Sequence, residues 1–242
     1  MQITYISIFP DIYTSFLATS LIQKAQTKWI ISFDIIDPRE FCDGPQHQID
    51  DEIYGGGAGM LMKAQPMIDA VRMAIQQHVF AWASLDTNPQ TELTWTVLMM
   101  APSQTIFNQR IAYDLATYDV IVIVNGRYEG IDHRFEQYMW KHYPEHFQKI
   151  SMGPYITLGG EAPSMVMTEA IVRLIPGVIK EEASHRIESY DPDQGMNNIE
   201  YPQYTRPEIV EEMWVPLVLL SGHHAQIQAW RDENTGDALS IV

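Results

Sequence analysis

The chain has 242 residues, of which 46% are hydrophobic and 19% charged, a balance typical of a folded globular protein and not of a disordered or fibrous one. Its 31 acidic residues against 15 lysines and arginines give a net charge of −16, so an RNA partner would need a local basic surface. The single cysteine, Cys42, excludes an internal disulfide. Neither a signal peptide nor a membrane span is recognisable, which predicts a cytoplasmic protein without membrane contact.

In the first half of the chain the pattern predicts strands alternating with helices. Apolar, β-rich runs at residues 3–9 and 30–36 end at prolines and predict strands. A helix is expected over residues 13–26 and another over 64–82, because apolar residues recur on one helical face. Residues 42–59 have no clean period and many Gly and Asp residues, so we expect a long functional loop there.

The middle of the chain continues the same alternation. Residues 93–100 predict a strand and residues 105–115 a helix, and the unbroken β-branched run at 120–124 predicts a strand buried on both faces. A helix over residues 163–174 is apolar nearly all round, which favours a position at a subunit interface. The sequence therefore indicates an α/β fold.

Beyond a polar boundary at residues 180–187 the signals are weaker. Thr205 to Glu208 has the pattern of a capping box with proline in the first turn, so a helix is predicted from there to about residue 214. A second short helix is predicted over residues 224–231.

Several motifs with possible chemistry are weak. The glycines at 55–59 fit neither nucleotide fingerprint, and they leave open a mobile lid or a substrate-contacting loop. His142 and His146 are separated by Pro144, which spoils the helix that would direct both at one metal ion, so no metal site is predicted. Cys42 has no nucleophile elbow and is read as a small hydrophobe.

Two glycine-centred segments, residues 125–131 and 151–161, carry most of the information. Each follows a predicted strand or the approach to one, and each has glycines where a ligand could come close to the backbone. Because ligands of open α/β sheets bind at the carboxyl ends of the strands, these segments predict a ligand site there.

A set of blocks in a fixed order then resembles the bacterial tRNA (guanine-N1)-methyltransferases of the SPOUT superfamily. The blocks are residues 54–62, 126–132, 155–163, 173–178, 204–208 and 220–224, so the resemblance covers nearly the whole chain. It implies a parallel sheet with a deep C-terminal trefoil knot in residues 1–179, a linker at 180–187, and a small, mostly helical tRNA-binding domain at 188–242. It also implies a homodimer that transfers methyl from S-adenosylmethionine to N1 of guanosine-37 in tRNA with guanosine at 36, with a magnesium ion as a further component.

The resemblance also implies roles for individual residues. The cofactor would be held, largely through backbone, by Met100, Ala101, Pro102, Gly126, Tyr128, Gly130, Ser151, Met152, Gly153, Tyr155, Thr157, Gly159, Gly160 and Pro163. Glu129 would offset positive charge on the cofactor. Methylation of guanine N1 needs a base for its proton and a cation for charge arriving on O6, which by position are Glu188 and Arg173.

Each of these roles has a structural alternative. Arg173 is also suited to an ion pair across a dimer, Glu188 to a solvated linker, Glu129 to bracing its own loop, and Tyr128 and Tyr155 to the core. The family usually has aspartate where Glu188 stands, and a basic helical tail beyond the position of Arg231. These departures and the net charge leave an alternative function open: a divergent dimer that binds the cofactor or RNA without methylating it, or that methylates another RNA.

Overall fold

The computed structural model describes residues 1–80, 93–179, 189–190 and 196–237, and the chain divides into two units, Met1–Lys180 and Glu181–Val242. In the first unit the strands are β1 (Gln2–Ile6), β2 (Ser32–Ile36), β3 (Asp50–Glu52), β4 (Met60–Met62), β5 (Trp95–Met100), β6 (Val120–Asn125) and β7 (Phe147–Ile150). Its helices are α1 (Thr14–Leu17), α2 (Ser20–Thr27), α3 (Ala64–Ile75), α4 (Gln109–Leu115), α5 (Arg134–His142) and α6 (Glu161–Val172).

Five of these strands form one parallel sheet in the order β2-β1-β6-β5-β7. Strand β6 lies at its centre, and every one of its residues is buried, as the unbroken β-branched sequence predicts. Because all five strands are parallel, Met100, Asn125 and Ile150 end β5, β6 and β7 at the same edge of the sheet. The predicted α/β fold is confirmed.

Helices cover both faces of the sheet. On one face α3 and α5 pack against β-strand side chains around Met67, Val71 and Phe135, and on the other α2, α4 and α6 pack around Ile22, Leu115 and Met167. Burial of each large aliphatic or aromatic side chain in these two layers contributes about 1.5–3 kcal/mol. The carboxyl edge of the sheet is therefore held between two hydrophobic cores.

Helix α6 is less uniform than its sequence suggests. Its buried side includes the polar residues Glu161, Ser164 and Thr168, while Val166 on the other side is 57% exposed. The hydroxyl of Thr168 shares a hydrogen bond of 2.7 Å with Tyr5, and Ser164 shares one of 3.0 Å with Tyr13. Burial raises the pKa of both tyrosines well above the usual range, so both hydroxyls remain protonated.

Several predicted boundaries were wrong. The expected loop at residues 42–59 contains β3, which pairs antiparallel with β4. The helix expected over 13–26 is split into a 3₁₀ turn (Pro10–Tyr13), α1 and α2. The helix from Ala64 continues as a π-helical turn (Gln76–Phe80), and residues 81–82 lie outside the described ranges. The helix expected from residue 105 begins only at Gln109, because Asn108 caps it by accepting a hydrogen bond of 3.1 Å from the Ile111 N–H.

The second unit, taken by itself, has short elements. Strand β8 (Asn198–Ile199) pairs with β11 (Gly236–Asp237), and β9 (Ile209–Val210) forms a hairpin with β10 (Met213–Trp214). This hairpin replaces the helix predicted up to residue 214, because Glu211 and Glu212 have positive φ values of 51° and 64° that a helix cannot contain. Two helices follow, α7 (Leu217–Leu220) and α8 (His224–Asn234), and α8 confirms the helix predicted at 224–231.

No helix among the described residues is long and apolar enough to cross a bilayer.

Candidate active site

Three loops meet at the carboxyl edge of the sheet, after β5, β6 and β7, and enclose a cavity of about 390 Å³. This volume suits a ligand of nucleoside size. Of the residues expected to hold a cofactor, all except Gly153 line this cavity: Met100, Ala101, Pro102, Gly126, Tyr128, Gly130, Ser151, Met152, Tyr155, Thr157, Gly159, Gly160 and Pro163. Gly153 lines a smaller adjoining cavity of about 220 Å³, which shares Ser151 and Tyr155 with the larger one. The structure therefore brings the predicted set together.

The β3–β4 hairpin holds the loop after β6. The Glu129 N–H donates to the Met60 carbonyl at 3.0 Å, and the Met62 N–H donates to the Gly130 carbonyl at 2.9 Å. Tyr128, which precedes Glu129, has a φ of +56°, a left-handed conformation that is unusual for a bulky residue and marks a constrained loop. These contacts hold the backbone of Glu129, which lines the cavity.

The glycine run at 55–59 contacts this loop at one point. A Cβ atom added at Gly59 would overlap Cγ of Glu129 and lie 2.6 Å from its Oε1, whereas additions at Gly55 and Gly56 would meet nothing within 4 Å. Gly59 thus allows the Glu129 carboxylate to lie close to the backbone. The choice between a mobile lid and a substrate-contacting loop for this run stays a prediction.

The loop after β7 is shaped by its own hydrogen bonds. The Ser151 hydroxyl donates to the Gly153 carbonyl at 3.0 Å, and the Thr157 hydroxyl donates to the Gly159 carbonyl at 2.9 Å. Gly153 has a φ of +156°, and an added Cβ would lie 2.6 Å from Cε1 of the Tyr155 ring. The Tyr155 ring is thereby laid across Gly153 at the junction of the two cavities.

Gly160 joins the loops after β6 and β7. Its N–H donates to the Gly126 carbonyl at 3.0 Å. A Cβ atom added at Gly160 would lie 2.9 Å from the Asn125 Cα and 3.0 Å from the Met100 Cβ, closer than side-chain contacts normally come. Glycine is therefore required where the start of α6 crosses the ends of β5 and β6.

The residues assigned to catalysis are placed differently. Glu129 lines the cavity. Arg173 is the C-cap of α6, and α6 begins at the cavity and has 12 residues, so at 1.5 Å per residue Arg173 lies about 18 Å along the helix axis from the cavity. Glu188 lies outside the described residues. Within one copy of the described chain, the cavity and Arg173 are thus not brought together.

Comparison with known proteins identifies the family. The family described as tRNA (Guanine-1)-methyltransferase TrmD matches residues 1–238. The chain belongs to this family.

Individual relatives agree with that assignment. A protein of Staphylococcus carnosus named tRNA (guanine-N(1)-)-methyltransferase is 40% identical over 233 residues, which is 96% of this chain and 85% of the relative. Proteins of the same name from Bacillus velezensis and Mycoplasmopsis agalactiae are 36% and 38% identical, over 97% and 96% of this chain and 87% and 91% of the relative, respectively. The resemblance to this family that the sequence motifs indicate is confirmed.

One pair of residues at the site was missed by the sequence analysis. Arg127 lines the cavity, and its Nε donates to Oε2 of Glu161 at 2.7 Å. The Glu161 side chain is completely buried, and its Oε1 accepts a hydrogen bond of 2.7 Å from the Ser7 hydroxyl. Both charged residues lie within the two glycine-centred segments, 125–131 and 151–161, which is a signal of local importance. Their pairing across 34 positions could not be inferred from the sequence.

Burial and nearby charges shift the pKa values of two residues in and next to the loop after β6. Burial raises the pKa of Tyr128, and the nearby charge of Asp50 raises it further, so the hydroxyl stays neutral. Hydrogen bonds from the Arg134 guanidinium hold the pKa of Asp132 below its usual value, because they favour the charged form of the carboxyl. A neutral phenol thus stands beside Glu129 at the cavity wall, whereas the paired Asp132 lines a separate cavity with Lys63 and Arg134.

Proposed function

We propose that this chain transfers a methyl group from S-adenosylmethionine to N1 of guanosine-37 in tRNA, where guanosine also occupies position 36. The observation that carries the proposal is the cavity lined by the loops after β5, β6 and β7, two of which contain glycines, in a chain of this family. S-adenosylmethionine supplies an electrophilic methyl group when it is bound.

The cavity fits that cofactor in size and lining. A volume of about 390 Å³ falls in the range of small-molecule sites, and glycines at 126, 130, 159 and 160 let a ligand come close to the backbone. Apolar side chains such as Met152 and Ile156 can cover the adenosine. The Glu129 carboxylate at the wall is suited to offset the positive charges of the methionine portion.

We assign the proton chemistry to two further residues. Guanine N1 carries a proton at neutral pH, and the Glu188 carboxylate would accept it. Negative charge then reaches O6, where the Arg173 guanidinium would stabilise it, an effect worth about 10²–10³ in turnover for a comparable donor. The target base must leave its stack to enter the site.

Arg173 can serve such a site only from a second copy of the chain, which supports a homodimer. About 18 Å of helix separates it from the cavity of its own copy. Two copies related by a two-fold axis that pack α6 together would bring Arg173 of one toward the cavity of the other. The half-exposed Val166 and exposed Ala162 on the outer side of α6 suit such packing.

A deep trefoil knot is part of the same proposal. The tight crossing of Gly160 over Asn125, with the hydrogen bond from Gly160 to Gly126, supports a chain that is threaded at this point.

A magnesium ion remains a proposal from the family resemblance. The described residues contain no cluster of three His, Cys, Asp or Glu side chains that would hold a metal, so carboxylate and substrate oxygens together would have to bind it.

The proposal is tested by methyl transfer to defined RNA. Purified protein is incubated with methyl-labelled S-adenosylmethionine and a tRNA transcript with guanosine at 36 and 37, and the modified position is mapped by primer extension. Transfer confined to position 37, and lost when either guanosine is replaced by adenosine, is the expected result. Cofactor binding without transfer to this tRNA would overturn the proposed reaction and favour a binding protein.

A further inference from the structure

Trp29 occupies an unusual position at the end of α2. Its side chain is 91% exposed, and its φ of +59° lies in the left-handed region that bulky residues avoid. The Trp29 N–H donates to the Gln26 carbonyl at 2.9 Å and the next N–H, of Ile30, donates to the Ala25 carbonyl at 3.0 Å, so the left-handed residue terminates the helix. Glycine fills such positions without strain. An exposed indole gains no burial that would offset the strain, which points to a role outside folding.

The surface beside Trp29 is basic in an otherwise acidic chain. Residues 20–29 include Lys24 and Lys28 and no acidic residue, although the chain has a net charge of −16. The two lysines are four positions apart on one helical face, both are exposed, and neither pairs with a carboxylate among the described residues. Lysines in a last helical turn also stabilise the helix, but that effect does not account for the exposed indole.

The patch lies at the amino edge of the sheet, at the same end of the first unit as Arg173. The Lys28 ammonium donates to the Gly177 carbonyl at 3.4 Å, and Gly177 follows Arg173 by four residues. The cavity lies at the opposite, carboxyl edge. A ligand on the patch would therefore be bound away from the cofactor of the same copy.

We propose that Lys24, Lys28 and Trp29 form an RNA-binding patch for the tRNA substrate. The indole would stack on an unpaired base and the two ammonium groups would bind phosphates, the combination by which proteins hold single-stranded RNA. Local positive charge on a chain of −16 selects a polyanion as the occupant. This inference rests on the proposed function for its choice of RNA.

Direct binding of a fluorescently labelled tRNA transcript, followed by anisotropy, tests the patch. Trp29→Gly is expected to raise the Kd for tRNA about 5- to 100-fold, because one base-stacking contact is lost, whereas Trp29→Phe should raise it less than about 3-fold. In the double variant Lys24→Gln/Lys28→Gln, the slope of log K against log salt concentration should become less steep, by the amount expected for the loss of about two phosphate contacts. Lys141→Gln, at an exposed lysine of α5, serves as the control and should leave tRNA binding unchanged.

Thermal stability separates binding from folding. Trp29→Gly should raise Tm by about 2–5 °C, since glycine accepts the left-handed backbone, while a structural indole would instead lower Tm when removed. Unchanged tRNA affinity in Trp29→Gly overturns the patch. So does a loss of self-association in this variant instead of a loss of tRNA binding. A wild-type chain that binds no tRNA also overturns it. A wild-type chain that binds tRNA through the patch but transfers no methyl would instead overturn only the proposed reaction.

Discussion

Nε of Arg127 lies 2.7 Å from Oε2 of Glu161, and this pair ties the loop after β6 to the first turn of α6. The Glu161 side chain is fully buried, while that of Arg127 is 21% exposed and faces the cavity, with its guanidinium 4.6 Å from the centre of the Phe9 ring. A buried carboxylate is tolerated because Arg127 and Ser7 together satisfy both of its oxygens. The pair thus fixes the two loops that form most of the cavity wall.

Neutralising Glu161 should therefore loosen the cavity. Glu161→Gln keeps the size of the side chain but leaves Arg127 without its anionic partner, and we expect a loss of about 1–3 kcal/mol in the free energy of unfolding and weaker S-adenosylmethionine binding. Chemical denaturation and calorimetric titration measure the two effects. Glu145→Gln, at an exposed glutamate between α5 and β7, is the control and should change neither. Equal behaviour of the two variants would contradict the structural role of Glu161.

Gly59 and Gly55 offer a test that separates backbone strain from contact with Glu129. Both have nearly the same left-handed φ, +89° and +88°, but only an added Cβ at Gly59 would overlap Glu129. Alanine at either position should cost about 1–2 kcal/mol of stability from strain. Only Gly59→Ala should also reduce methyl transfer, by 10-fold or more, because it displaces Glu129 from the cavity wall. Equal turnover in the two variants would show that the position of Glu129 does not matter.

The assignment of Arg173 to a neighbouring copy predicts complementation. Arg173→Ala should lower kcat about 10²- to 10³-fold and leave S-adenosylmethionine affinity nearly unchanged, since the cavity lies about 18 Å from it along the helix. Co-expression with Gly126→Trp should restore activity in mixed dimers, because this variant keeps Arg173 and blocks the cavity at a position where an added Cβ would meet nothing closer than 3.7 Å. Mixed dimers as inactive as either parent would indicate that Arg173 acts within its own copy.

Asp132 should add an acid-sensitive contribution to stability. Arg134 lowers its folded-state pKa below the unfolded value, so the stabilisation is fully present above the unfolded pKa, near 4, and is lost as the pH falls through the folded pKa. The guanidinium is 70% exposed, so screening by solvent keeps the effect small. The stability difference between wild type and Asp132→Asn should be constant from pH 6 to 8 and shrink below about pH 4. A difference that grows in acid would contradict this sign.

Four strands of the central sheet, β1, β2, β5 and β6, were predictable because their signals are local, whereas β7 was not predicted. The run at 120–124 has no polar residue, so burial on both faces follows from sequence alone, and the glycine motifs next to β6 and β7 locate the cavity by the edge at which parallel strands end. The β9–β10 hairpin was not predictable, because its turn uses Glu211 and Glu212 in left-handed conformations that Asn-Gly usually supplies. The pairing of Arg127 with Glu161 depends on tertiary packing, and the hydrophobic periodicity of the sequence does not predict it.

The claim on which this account depends is that the loops after β5, β6 and β7 bind S-adenosylmethionine. Hydrogen–deuterium exchange with and without saturating cofactor measures this segment by segment. We expect slowed exchange at residues 100–102, 126–130 and 151–160, with no change in the hairpin at residues 209–214. Slowed exchange elsewhere, with these three loops unaffected, would contradict it.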